Sequence, residues 1–214
     1  MKKIRIVLGI LIIFLISCFT SVNAQKIDTI IQTPIYTSYF CYQTHTPLFV
    51  VYKLYKGGGK TSRKLMKFET DGLTQSATEK DYSKSGYDIG HMCNAEDFAF
   101  NYSKELITFR FYNALPQTPK SNRGCWKSLE YKTRIKSQKD SLLIICGGFQ
   151  FNHLINNRVG VPEYTYKIIK DLNTGVVGSY LFPNDNSDSF RVMSLNDLFL
   201  RIPYSKDYIL KALK

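Results

Sequence analysis

Strand-like runs of differing length, joined by short glycine and asparagine turns, predict an α+β fold on a mixed, largely antiparallel sheet. Three observations carry this expectation. β-branched and aromatic residues dominate the apolar runs, hairpin-type turns separate several of them, and the few helical stretches do not alternate with strands as a doubly wound sheet requires. No repeat, low-complexity tract or linker divides the chain.

The elements follow in order. Lys2, Lys3 and Arg5 precede the apolar run Ile6 to Phe19, and Val22-Asn23-Ala24 ends in small residues. This is the pattern of a cleaved export signal over residues 1–24, leaving a domain of residues 25–214 that starts at Gln25. The alternative is lipidation, because Leu15-Ile16-Ser17-Cys18 resembles a bacterial lipobox with Cys18 as the anchor. Export places the mature protein in the periplasm or outside the cell, and no later stretch is apolar enough to span a membrane. Pro47 to Tyr55 reads as a strand, and Lys56 to Lys60 as a hairpin turn. Gly59-Lys60-Thr61 is not a phosphate-binding loop, since Leu54 stands where that signature needs glycine. Ile107 to Tyr112 reads as a strand, Arg123 to Lys136 as a helix, and Leu142 to Ile145 as a short buried strand halted by Gly147-Gly148. Tyr164 to Lys170 and Val176 to Phe182 pair as strands across the turn Asn173-Thr174-Gly175.

Charge narrows the partner. The chain carries 29 basic and 17 acidic residues for a formal charge of +12. Removing Lys2, Lys3 and Arg5 with the leader still leaves +9, spread along the chain. Such a surplus suits a polyanion, although a merely soluble basic protein can also carry it. Of five cysteines, Cys41, Cys93, Cys125 and Cys146 follow the leader. An even number in an exported protein predicts disulfides, with Cys93 to Cys125 the favoured pairing because both lie near the motifs below. Nothing in their spacing points to zinc.

General-base chemistry at neutral pH is most simply done by histidine. Only His45, His91 and His153 follow the leader. His45 lies between threonines and His153 among asparagines, as ordinary surface histidines do. His91 differs, with Asp88 before it and Gly90 beside it in Gly86-Tyr87-Asp88-Ile89-Gly90-His91. Asn122 stands near a helix start, where capping is the common role of asparagine. Its amide oxygen could equally hold Mg²⁺, which takes few protein oxygens and keeps several waters. Glu130 and Arg134 lie four residues apart on that helix. They form either a surface ion pair or a carboxylate that orders water beside a guanidinium that grips phosphate. With regular helix from Asn122 onward, Glu130 would sit about 12 Å along the axis, too far to share one ion with Asn122 directly.

Asp88-Ile89-Gly90-His91, Asn113-Ala114-Leu115-Pro116-Gln117, and Asn122 followed by Trp126, Leu129 and Glu130 together resemble the DNA/RNA non-specific endonucleases. That family belongs to the ββα-metal (His-Me finger) superfamily. The resemblance extends from Asp81-Tyr82 through Tyr166-Lys167 to Arg191 to Leu195, most of the mature chain. It implies a ββα-metal motif and Mg²⁺- or Mn²⁺-dependent hydrolysis of DNA and RNA without strong sequence preference. By the same resemblance His91 is the base that activates water, Asn122 holds the metal, and Glu130 supports its water shell. Asn113, Gln117 and Arg134 then position substrate or supporting groups, while Arg123 and Lys84 are cations available to phosphate. Two departures stand out. Ile89 replaces the family arginine before Gly-His, and Asn94 stands where proline is usual. An upstream family arginine has Arg63 or Lys64 as its counterpart. The loss at Ile89 keeps an alternative open, a nuclease-fold protein that binds nucleic acid without efficient turnover.

Overall fold

The computed structural model describes residues 25–204 and 206–214. The expected leader, with Cys18, lies outside them. Seven antiparallel strands form the main sheet: β1 (Thr29–Gln32), β2 (Tyr36–Cys41), β3 (Thr46–Leu54), β6 (Leu142–Ile155), β7 (Val159–Asp171), β8 (Val177–Pro183) and β9 (Arg191–Met193), paired in that order. The long insertion between β3 and β6 carries α1 (Glu79–Tyr82), β4 (Asp88–His91), α2 (Tyr102–Ile107), β5 (Ala114–Gln117), α3 (Pro119–Ser121) and α4 (Lys127–Lys136). Within it β4 and β5 pair antiparallel, with His91 opposite Ala114 and Asp88 opposite Gln117. Two helices close the chain, α5 (Leu195–Arg201) and α6 (Lys206–Leu213). None of the described helices is long and apolar enough to cross a membrane.

The central strands are largely apolar on both faces where the sheet is covered on both sides. Val50, Ile144, Cys146 and Ile169 face the insertion and pack with Met92, Leu115, Trp126 and Leu129. Their neighbours Phe49, Ile145 and Ile168 face the other way, against Leu198, Ile202, Tyr204 and Ile209 of the C-terminal segment. One core therefore anchors the insertion, and the second is capped by α5 and α6.

Several local expectations are corrected. The strand at Leu142 does not stop at Gly147-Gly148 but continues to Ile155. The space beside these glycines is taken by the Tyr166 ring, Pro162 and Leu115, so they admit neighbours instead of ending the strand. Lys56 to Lys60 is no hairpin, since β3 pairs with β2 and β6. The segment instead enters the insertion, where Gly58 N–H donates to Asp97 O and Thr61 N–H to Ala99 O. Ile107 to Tyr112 ends α2 and enters a 3₁₀ turn at Phe111–Asn113, because Asn113 Nδ2 takes the Thr108 and Cys93 carbonyls that a strand would have left to a neighbour.

The expected disulfides are also corrected. Cys41, Cys93, Cys125 and Cys146 are all free and buried. The favoured partner Cys125 turns its Sγ toward the Ser121 and Ser189 carbonyls, at 3.9 and 3.4 Å. These thiols act as small apolar side chains in the two cores. Burial pushes the Cys146 thiol up to about 12, which removes its nucleophilicity at neutral pH.

Candidate active site

A cleft of about 870 Å³ opens between β4, the segment after it, and the start of α4. His91, Asn122, Arg123, Glu130 and Arg134 all line it. The cleft also brings in Arg63 and Lys127, so four cations face two carboxylates, Glu96 and Glu130.

His91 ends β4 with its ring between Phe68 and Phe109, at centroid distances of 4.6 and 4.7 Å. Its Nε2 is sealed from solvent and has no hydrogen-bond partner among the described residues. Burial, aided by the nearby Arg63 guanidinium, lowers its pKa to about 3. The imidazole is therefore neutral at physiological pH and able to accept a proton.

Asn122 is not a helix cap. The helix begins earlier, with Thr118 preceding Pro119 at its first position, a favoured site because proline lacks the N–H a helix start leaves unused. Asn122 to Trp126 then forms a π-helical turn broken at Gly124. The Cys125 N–H leaves the helical ladder and donates to Asp188 Oδ1. A Cβ on Gly124 would lie 2.2 Å from that carboxylate oxygen, so only glycine admits Asp188 here. Such turns recur at functional sites because they re-aim side chains. Asn122, at the start of this turn, and Glu130, beyond it on α4, line the same cleft.

Asp88 fixes the amide. Asn122 Nδ2 donates to Asp88 Oδ2 at 2.9 Å. An ionised carboxylate only accepts, so the NH₂ must face Asp88 and Oδ1 must face away. Arg123 grips the same carboxylate with two bonds, of 2.8 and 2.6 Å.

Glu130 is buried, with Lys167 Nζ 3.4 Å from its Oε1. Lys167 reaches it from β7, wholly buried and 4.2 Å above the Trp126 ring. Beneath the cleft, Arg134 Nε donates to Asp97 Oδ1 at 2.9 Å and Arg134 Nη2 to Asn94 Oδ1 at 3.2 Å. The Asn94 side chain thus has a use that the usual proline could not serve. Burial raises Asp97 to about 6 even though Arg134 opposes that shift. Replacing Arg134 with methionine strands this carboxylate and is expected to cost about 3 kcal/mol at pH 8. Below about pH 6 Asp97 takes up a proton and the ion pair stops contributing, so the loss should shrink at pH 5. Urea denaturation at both pH values measures this, and equal losses would show that the pair is not the source.

Three expected site residues lie off the cleft wall. Asn113 is fully buried and binds backbone, accepting from Cys93 N and donating to Cys93 O and Thr108 O, so it braces the segment behind His91. Gln117 is buried under Gly90, its Oε1 2.0 Å from where a Cβ on that glycine would sit. Lys84 occupies a left-handed turn after α1, outside the cleft lining. Ile89 packs against the Tyr82, Phe111 and Val161 cluster, so no cation reaches the cleft from that position. Of the two upstream candidates, Arg63 lines the cleft and Lys64 does not. Lys167 entered the sequence analysis only as part of the family resemblance, with no role, and Asp188 and Tyr131 gave no signal; a carboxylate 64 residues from Gly124 carries no local pattern.

The fold that holds this cleft is that of endonuclease G. The structure of the EndoG/EndoGI complex superposes with a TM-score of 0.71 at 21% identity, covering 81% of this chain and 83% of that one. The model of the DNA/RNA non-specific endonuclease family matches residues 18–199, and the chain belongs to that family. Among its relatives, a nuclease of Nostoc sp. is 36% identical over 44% of this chain and 35% of its own length. The mitochondrial nuclease EXOG of Danio rerio is 30% identical over 66% of this chain and 49% of its own. This chain thus spans between a third and half of the length of these two curated relatives.

Proposed function

We propose that this chain is an exported, Mg²⁺-dependent (or Mn²⁺-dependent) endonuclease that hydrolyses phosphodiester bonds of both DNA and RNA. The observation that carries the reading is a neutral histidine and an oriented amide oxygen on the wall of one basic cleft. The donor set fits a hard cation. Asp88 leaves Asn122 Oδ1 facing away from it, and among the described residues no group of three His, Cys, Asp or Glu side chains forms a cage for a softer metal. Asn122 would hold the ion, which when bound supplies Lewis-acid neutralisation of the charge that develops on the phosphate. The β4–β5 pair and the kinked helix after it are then the ββα-metal unit.

The chain's own groups supply the rest. His91 would take the proton from the attacking water at Nδ1, since Nε2 is sealed. Its low pKa keeps the ring unprotonated while making it a weaker base than an ordinary histidine. Glu130, backed by Lys167, accepts hydrogen bonds from water in the cleft. Arg63, Arg123, Lys127 and Arg134 hold the phosphates, which carry no sequence information, and binding is accordingly tolerant of sequence. The leader pattern supports export to the periplasm or beyond.

The second reading, binding without efficient turnover, has Ile89 in its favour. Of the cations near that position in sequence, Lys84 and Arg110 lie off the cleft lining, whereas Arg123 and the upstream Arg63 line it, each paired with a carboxylate, Asp88 and Glu96. Arg123 and Arg63 are left to replace the missing arginine. Incubating residues 25–214 with plasmid DNA and with RNA, in Mg²⁺ and in EDTA, decides between the readings. Degradation of both in Mg²⁺ alone is expected. Salt-sensitive binding with intact substrates would favour the second reading, and neither binding nor cleavage would sink both.

A further inference from the structure

Tyr131 is an aromatic that the core leaves unused. It is 61% exposed, and among the described residues its ring meets no other ring and its hydroxyl bonds to nothing. Yet it lines the cleft. The buried side of α4 is formed by Leu129, Glu130 and Thr133. Tyr131 lies on another side, four residues after Lys127 and three before Arg134. At helical spacing those three share one strip, with Tyr131 between the two cations. Lys127 is exposed, and Arg134, although held by Asp97 and Asn94, still reaches the cleft. Other aromatics are nearly as exposed, Tyr55 at 54% and Phe100 at 52%, but neither lines the cleft. A bare ring between two cations on the cleft wall fits a ligand that carries a flat apolar surface beside phosphates. Among the parts of a nucleic acid, only a base offers one.

We propose that Tyr131 is a base-stacking subsite that takes an unpaired base of the bound strand while Lys127 and Arg134 hold the flanking phosphates. The inference rests on the nuclease reading and extends it to substrate form. A base inside a duplex has both faces covered by its neighbours, so a duplex meets this strip through phosphates alone. A single-stranded, frayed or looped substrate adds the stack. Base–aromatic stacking tolerates any base, which suits a substrate held mainly through its phosphates.

The test compares wild type, Tyr131→Ala and Tyr131→Phe for binding, in EDTA, to three fluorescent oligonucleotides: a single strand, the same strand with abasic sites, and a blunt duplex. Tyr131→Ala should weaken single-strand binding by about 5- to 150-fold, the range that loss of one base stack produces. It should change affinity for the abasic strand and the duplex by less than about twofold, because phosphate contacts remain. Tyr131→Phe keeps the ring and should bind as wild type does. Equal losses on all three ligands, no loss on any, or a phenylalanine variant as weak as alanine would each overturn the stacking subsite. Any of these, in a wild type that still cleaves in Mg²⁺, would leave the nuclease reading standing. A wild type that neither binds nor cleaves would overturn both.

Discussion

Replacing His91 with alanine is expected to lower turnover by about 10²–10⁴-fold and to leave affinity for nucleic acid nearly unchanged. The ring contributes a proton acceptor and no charge, so phosphate affinity does not depend on it. Single-turnover cleavage beside an equilibrium binding measurement separates the two effects. Turnover within threefold of wild type would remove His91 from the role of base. The pKa of about 3 adds a pH signature. Burial keeps His91 neutral through the range where an ordinary histidine, near 6.5, becomes charged. Cleavage by wild type should therefore show no loss attributable to His91 as pH falls through 6.5. Stability behaves differently. Between about 6.5 and about 3 the unfolded chain binds a proton at this position that the folded chain refuses, so the contribution of His91 to stability is complete above that window and is lost as pH falls through it.

Asn122→Ala is expected to raise the Mg²⁺ concentration for half-maximal rate by more than about tenfold, because it removes the amide oxygen that Asp88 leaves facing away from its own carboxylate. Asp88→Ala should move the same titration in the same direction, within the 10- to 100-fold range of lost orienting partners, since the amide would be free to turn. Metal titrations of cleavage read both variants. An unchanged midpoint for Asn122→Ala would place the ion on other residues, and Glu130 would be the next to test. A shift for Asp88→Ala without one for Asn122→Ala would show that Asp88 serves the metal itself and not the amide.

Local sequence determined a good part of this protein. The Tyr164 to Lys170 and Val176 to Phe182 hairpin and the antiparallel character of the sheet were legible because alternation, β-branching and turn residues act over a few positions. His91, Asn122, Glu130, Arg123 and Arg134, picked out by residue type and by the family resemblance, line one cleft, and their roles there are those proposed above. Where contacts came from far along the chain, sequence misled. Gly147 and Gly148 looked like a stop until Tyr166 and Pro162 filled the space beside them. Four cysteines looked like disulfides until two cores buried them as free thiols.

The site's geometry lay beyond local pattern for the same reason. Asp188 opens the helix at Gly124, Lys167 stands behind Glu130, and Arg63 comes up beside His91, each from a remote segment. Sequence determined which groups could do chemistry. Tertiary structure decided which way the Asn122 amide points, why His91 is neutral, and that Tyr131 stands bare among cations. Orientation, desolvation and exposure depend on what folding brings alongside a residue, and no residue carries that information by itself.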